Sequence, residues 1–186
     1  MSNKESSAAR RGGGAIRILI IALCALIAAA VITILLNRYI FSMVTVSGTS
    51  MEPTVNAGES WVIDRTFGGL NRGDIVTFRT EDSDDASLSR IVAAGGDAVY
   101  IDLQSGRLYI NGSLADEPYA NIAAGVGGKF ITELINNGSY SKESPLVIEE
   151  GYLFVMGDNR GNSRDSREFG PIPESAVFGV VTRKVK

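Results

Sequence analysis

From Ile18 to Leu36 the chain is apolar at every position except Thr33. That is close to the roughly 20 residues a helix needs to cross the hydrocarbon core of a bilayer. In lipid each backbone N–H and C=O must find its partner within the segment, so such a run is restricted to a helix. Lys4, Arg10, Arg11 and Arg17 precede it with one acid, Glu5, whereas only Arg38 follows closely. The cationic flank belongs in the cytoplasm, which sends everything after Arg38 to the other side of the membrane. Tyr39 and Phe41 stand where an outer aromatic belt is expected. A cleaved secretory signal is the competing reading. Its apolar region is normally shorter, and Asn37 to Phe41 is bulky where a small-residue cleavage site belongs. The expectation is a retained anchor over residues 15–41 behind a cytoplasmic tail, residues 1–14, whose Ser, Ala and Gly-Gly-Gly composition reads as disordered.

Past residue 42 the pattern changes to short alternating runs. Residues 61–63, 74–78, 90–92, 99–103, 107–110, 152–156 and 177–185 read as strands, punctuated by Gly68-Gly69, Gly95-Gly96-Asp97, Ser105-Gly106, Asn111-Gly112 and Asn137-Gly138. Residues 42–186 are therefore expected to form one mainly β, antiparallel domain. A short helix is expected near Ile131 to Asn136, an exposed hairpin tip over Glu81 to Ser89, and a subsidiary cap or insertion within 119–147. A net charge of −3 argues against a nucleic-acid partner. The chain has no histidine, which removes Ser-His-Asp and Cys-His catalysis and all histidine-dependent metal sites. Its single cysteine, Cys24, lies in the apolar run, so no intramolecular disulfide forms. No cofactor or metal is called for.

The segment Ser47-Gly48-Thr49-Ser50-Met51-Glu52-Pro53-Thr54 holds a serine between a glycine and a proline. Glycine permits close approach of a substrate backbone, and N–H groups of such a loop can converge on a developing oxyanion. The same residues also suit an ordinary polar turn. Met43, Val44, Val46 and Met51 supply apolar side chains around it, either as strand core or as a surface that dips into lipid.

This segment resembles the nucleophile box of type I signal peptidases, and further likenesses follow in order. They are Gly73 to Phe78, Arg90 to Asp97, Leu108 to Gly112 with Glu117-Pro118-Tyr119, and Gly157 to Gly170, which reads GDNRGNSRDSREFG. The resemblance implies a signal-peptidase-like β domain behind one transmembrane helix. It also implies a serine endopeptidase that removes signal peptides from exported preproteins at the membrane, favouring small residues before the cut. By the same resemblance Ser50 is the nucleophile, and its N–H with the backbone at Gly48 forms the oxyanion site. Ser163 is a hydroxyl beside the general base, while Asp158, Asp165 and Arg167 brace the site.

One position departs from the pattern. The family carries a lysine, its general base, immediately before the arginine of the second box; here that position is Ser89. A serine hydroxyl attacks poorly until a base takes its proton, and lysine does so when burial lowers its pKa. Arg90 cannot replace it, because a guanidinium stays protonated. Two readings follow. In one, the chain is a working peptidase that draws a base from elsewhere, such as Lys129 or Lys142. In the other, it is a catalytically impaired relative that binds secreted peptides and assists secretion or pilus assembly.

Overall fold

The computed structural model describes residues 6–80 and 83–185, in two compact units, Met1–Ile40 and Phe41–Lys186. The first unit is a helix, α1 (Ser6–Ile40). Its stretch Gly14–Leu35 is long and apolar enough to cross a membrane, and its side chains are exposed, Leu19 at 72%. The helix starts within the stretch expected to be a disordered tail. Ala8, Ala9, Arg10 and Arg11 are strong helix formers, and propagation onto an existing helix costs far less than nucleation. Residues 1–5 lie outside the described residues, as do the side chains of Tyr39 and Phe41 and with them the aromatic belt. Phe41, expected in the anchor, instead opens a strand.

The second unit is built on two antiparallel sheets. In chain order its strands are β1 (Phe41–Thr45), β2 (Ser60–Asp64), β3 (Ile75–Thr80), β4 (Ser83–Ala94), β5 (Ala98–Asp102), β6 (Arg107–Ile110), β7 (Ser113–Leu114), β8 (Leu146–Val147), β9 (Tyr152–Met156), β10 (Ile172–Pro173) and β11 (Val177–Lys184). Two short helices join them, α2 (Lys129–Asn136) and α3 (Ser166–Phe169). The larger sheet has the order β1-β2-β11-β3-β4-β9-β10, and the smaller β7-β6-β5-β8.

Residues 91–93 of β4 and 153–156 of β9 are buried, which explains the unbroken apolar runs Ile91-Val92-Ala93 and Leu153-Phe154-Val155-Met156. Side chains alternate across a strand. Ile91, Leu153 and Val155 join Val76, Phe78, Ile172 and Val177 in one core. Val92, Phe154 and Met156 point the other way, into a second core with Val99, Ile101, Leu108, Ile131 and Tyr140. Each fully buried aliphatic or aromatic side chain contributes roughly 1.5–3 kcal/mol. The two cores fix the place of the β4–β9 pair, and the candidate site is built at one end of it.

The expected hairpin tip over Glu81 to Ser89 is corrected over residues 83–89, while Glu81 and Asp82 lie outside the described residues. Residues 83–89 belong to β4, and Ser89 is 2% exposed, paired with Val76. The acidic residues of the segment disguised a strand whose far half is core. Within the expected cap over 119–147, α2 buries Ile131 against the second core.

Candidate active site

The loop after β1 carries Gly48, Thr49 and Ser50 and is held by the segment that follows β9. The Asn159 N–H donates to the Ser50 carbonyl (2.9 Å), and the Asn159 side-chain amide donates to the Thr49 carbonyl (3.1 Å). The Asn162 amide donates to the Thr49 hydroxyl (2.7 Å). Both carbonyls flanking the Thr49–Ser50 linkage are thus occupied. Among the described residues, the amides of Gly48, Thr49 and Ser50 donate no hydrogen bond. Such amides are available to an oxyanion. Ser50 opens on a groove of about 280 Å³ that is also lined by Val44, Val46, Thr77, Leu88 and Arg164.

Behind the loop sits a set of buried ion pairs. Asp158 is fully buried and takes Arg90 in a two-pronged contact, Nε to Oδ1 at 2.9 Å and the terminal nitrogen to Oδ2 at 2.6 Å. The Thr54 hydroxyl donates to the same carboxylate (2.5 Å), which ties the end of the serine loop to the pair. The Tyr119 ring covers Arg90, its centre 3.9 Å from the guanidinium carbon. Burial, reinforced by the Glu117 charge, pushes the Tyr119 phenol up to about 12. A second pair, Asp165 with Arg167, is also two-pronged, both contacts at 2.8 Å. The Asp165 carboxylate further accepts the Gly157 N–H (3.0 Å) and caps α3 at the Arg167 N–H. A third pair, Arg160 with Glu117, is 1% and 4% exposed. A buried ion alone costs several kcal/mol, so each of these exists only because its partner and geometry are supplied.

Gly157 is where these parts meet. A Cβ there would stand 2.2 Å from the Ser163 Oγ and 2.6 Å from the Ser50 carbonyl. Only glycine lets the three segments approach so closely. Ser50 and Ser163 therefore border one residue. Arg90 pairs with Met156, the residue before Gly157, and Ser89 precedes Arg90 in β4. The Ser163 Oγ is buried and has no hydrogen-bond partner among the described residues.

The residues singled out from sequence thus fall into three settings. Ser50 and Ser163 meet at Gly157, with Gly48 lining the groove beside Ser50; Ser89 is buried in β4, paired with Val76; and Asp158, Asp165 and Arg167 lie in the ion-paired layer. Met51 does not offer a lipid-facing surface. It is 0% exposed and packs as core, whereas Met43 is 65% exposed. Lys142 does not line the Ser50 groove; its ammonium stands over the Tyr109 ring, 5.6 Å from the centre. Lys184 pairs with Glu59 at 2.6 Å. Sequence reasoning missed Asn159, Asn162 and Thr54 as the clamp on the serine loop, and Arg90 as the partner of Asp158. Arg90 carried its own signal, since a cation inside an apolar strand requires a buried carboxylate.

A solved structure similar to this chain is that of a signal peptidase I from Enterococcus faecalis V583, 26% identical, covering 63% of this chain and all of that one, with a TM-score of 0.43. Signal peptidase IB of Staphylococcus aureus is 35% identical over 160 residues, 83% of this chain and 82% of that protein. Signal peptidase I of Bacillus licheniformis is 34% identical over 163 residues, with the same shares covered. The family described as signal peptidase, peptidase S26, matches residues 17–185. With one apolar anchor helix, a β domain built around a serine loop, and this match along nearly its whole length, the chain belongs to the signal peptidase family, peptidase S26.

Proposed function

We propose that this chain is a membrane-anchored serine endopeptidase acting on the signal peptides of exported preproteins, with Ser50 as nucleophile and without the usual amine base. The observation that carries the reading is the clamp on the serine loop, Asn159 on the Thr49 and Ser50 carbonyls and Asn162 on the Thr49 hydroxyl, which leaves the neighbouring amides open beside a groove. Ser50 Oγ attacks the scissile carbonyl carbon, and the oxyanion takes hydrogen bonds from the Ser50 N–H and the backbone at Gly48. The C–N bond then breaks, the departing amine takes a proton, and water hydrolyses the ester to free Ser50. The paired carboxylates and guanidinia of Asp158, Arg90, Asp165 and Arg167 touch no reacting atom. They hold the 157–165 segment, and through it the serine loop.

Ser89 occupies the place of the family's lysine in this reading, and the proton of Ser50 must pass to water or to another hydroxyl. General-base assistance is worth roughly 10²–10⁴ in rate, so turnover is slow. The Ser163 hydroxyl supports this, because it is buried against the serine loop with no hydrogen-bond partner among the described residues. The same observation favours a second reading, capture of secreted peptides without cleavage. In both, α1 is the anchor, its N-terminus is cytoplasmic and the β domain is outside. Protease added to intact cells then digests the β domain; a protected β domain would sink that orientation.

The deciding experiment incubates the full chain with a preprotein and measures binding and cleavage for native and Ser50→Ala protein. Slow cleavage lost in Ser50→Ala is expected. Binding without cleavage at any concentration leaves only the capture reading, and neither binding nor cleavage removes both.

A further inference from the structure

A groove of about 570 Å³ opens beside the smaller sheet, and it shares no lining residue with the groove at Ser50. Tyr100 and Asp102 enter it from β5, Tyr109 from β6, and Tyr140, Lys142 and Glu143 from the chain after α2. Its volume falls in the range of ligand sites, roughly 300–1,000 Å³. The three tyrosines form a continuous aromatic wall, with ring centres 6.0 Å apart for Tyr100 and Tyr109 and 5.6 Å for Tyr100 and Tyr140. Tyr140 is the fixed end of the wall: it is buried, and its hydroxyl accepts the Ile101 N–H at 2.6 Å. Tyr100 and Tyr109 are half-buried and present surface to the groove.

The charges around this wall select the occupant. The Asp102 carboxylate is fixed in place by the Gln104 N–H (2.9 Å) and the Ser105 hydroxyl (2.6 Å). Asp102 and Glu143 line the groove near enough to act on the Tyr100 phenol, which burial first and these two charges second hold above its usual range. Two carboxylates face one ammonium, that of Lys142, and this ammonium already lies over the Tyr109 ring. A π face attracts a cation, and nearby carboxylates add to that attraction. A neutral sugar would gain from the rings but would desolvate two carboxylates for no compensating charge.

We propose that this groove is a second recognition site, which takes a cationic side chain of an extended, proline-flanked polypeptide onto Tyr109 and Tyr100 in place of Lys142's own ammonium. A guanidinium suits it best, because its plane stacks on an aromatic face while its edge reaches carboxylates. Extended proline-bearing segments suit aromatic grooves because little chain entropy is lost on docking. Lys142 then acts as a resident competitor that any incoming cation displaces. The inference concerns binding alone and does not depend on turnover at Ser50.

The test uses the full chain in detergent and two capped pentapeptides, one with a central arginine between prolines and one with citrulline at that position. Binding is followed by tyrosine fluorescence and by chemical shifts. The arginine peptide is expected to bind about two- to fivefold more tightly than the citrulline peptide, the advantage of an exposed cation–π contact. Lys142→Ala is expected to tighten arginine-peptide binding by a similar factor. Tyr109→Phe, which keeps the ring, should leave it within about twofold, since the π face supplies the attraction. Equal binding of both peptides, weaker binding in Lys142→Ala, or no binding of either peptide overturns the proposal. Because Lys142 is exposed, its replacement leaves the fold intact and the comparison interpretable.

Discussion

Asp158 shows how far a single side chain in this domain reaches. Its two oxygens serve Arg90 and Thr54 together, so it joins the buried cation of β4 to the end of the serine loop. Removing it leaves Arg90 charged and 9% exposed, with Gly73's carbonyl and the Tyr119 ring as its remaining contacts. Breaking a buried pair from one side costs roughly 3–5 kcal/mol. Asp158→Ala is therefore expected to lower unfolding free energy by that amount in urea titration, and a loss below about 1 kcal/mol would contradict the bracing role. Ser89 works by what it lacks. It is buried like a core residue, and in the proposed mechanism it brings only a hydroxyl to the place where a base would accept the proton.

Among elements, the β4–β9 pair matters most, because it separates two cores and ends at Gly157. Gly157→Ala is expected to destabilise the domain by roughly 1–3 kcal/mol, as overpacking does. It should also push Ser50 or Ser163 out of place, since the added methyl would stand within 2.6 Å of both. Gly48→Ala is the control. Nothing lies within 4 Å of its Cβ position, so stability should be unchanged. Equal melting temperatures for Gly157→Ala and native protein would refute the crowding argument. Most of these strands were legible, because Leu153-Phe154-Val155-Met156 and Ile91-Val92 are too apolar for a half-exposed surface and too short for a helix. What sequence concealed were places where tertiary pairing outweighs local composition. The acidic Ser83–Ala86 stretch pairs into β4 despite its turn-like residues, and Met51 is drawn into the core beside a polar loop. The Asn159 and Asn162 clamp was hidden for another reason. It joins segments more than 100 residues apart, and spacing along a chain carries no sign of such a contact.

For the molecule as a whole, buried phenols set an upper pH boundary. Burial holds Tyr119 and Tyr140 at about 12, against an ordinary value of 10.0. Between those values the unfolded chain has released both protons while the folded domain keeps them. The unfolded state then binds fewer protons, and stability falls as pH rises. Their contribution is fully present below pH 10 and lost as pH rises toward about 12. Tyr140→Phe should reduce that slope in urea titrations across this window; an unchanged slope would contradict it. The larger claim is that a complete signal-peptidase framework is here limited by one absent amine. It is tested most directly by the cleavage rate of the full chain, in vesicles with a preprotein, for native and Ser89→Lys protein. A lysine placed at that buried position has its pKa lowered by desolvation and can accept the Ser50 proton. The account predicts a rate gain of about 10²–10⁴, rising with pH and abolished by Ser50→Ala. A native rate equal to that of the lysine variant would contradict it.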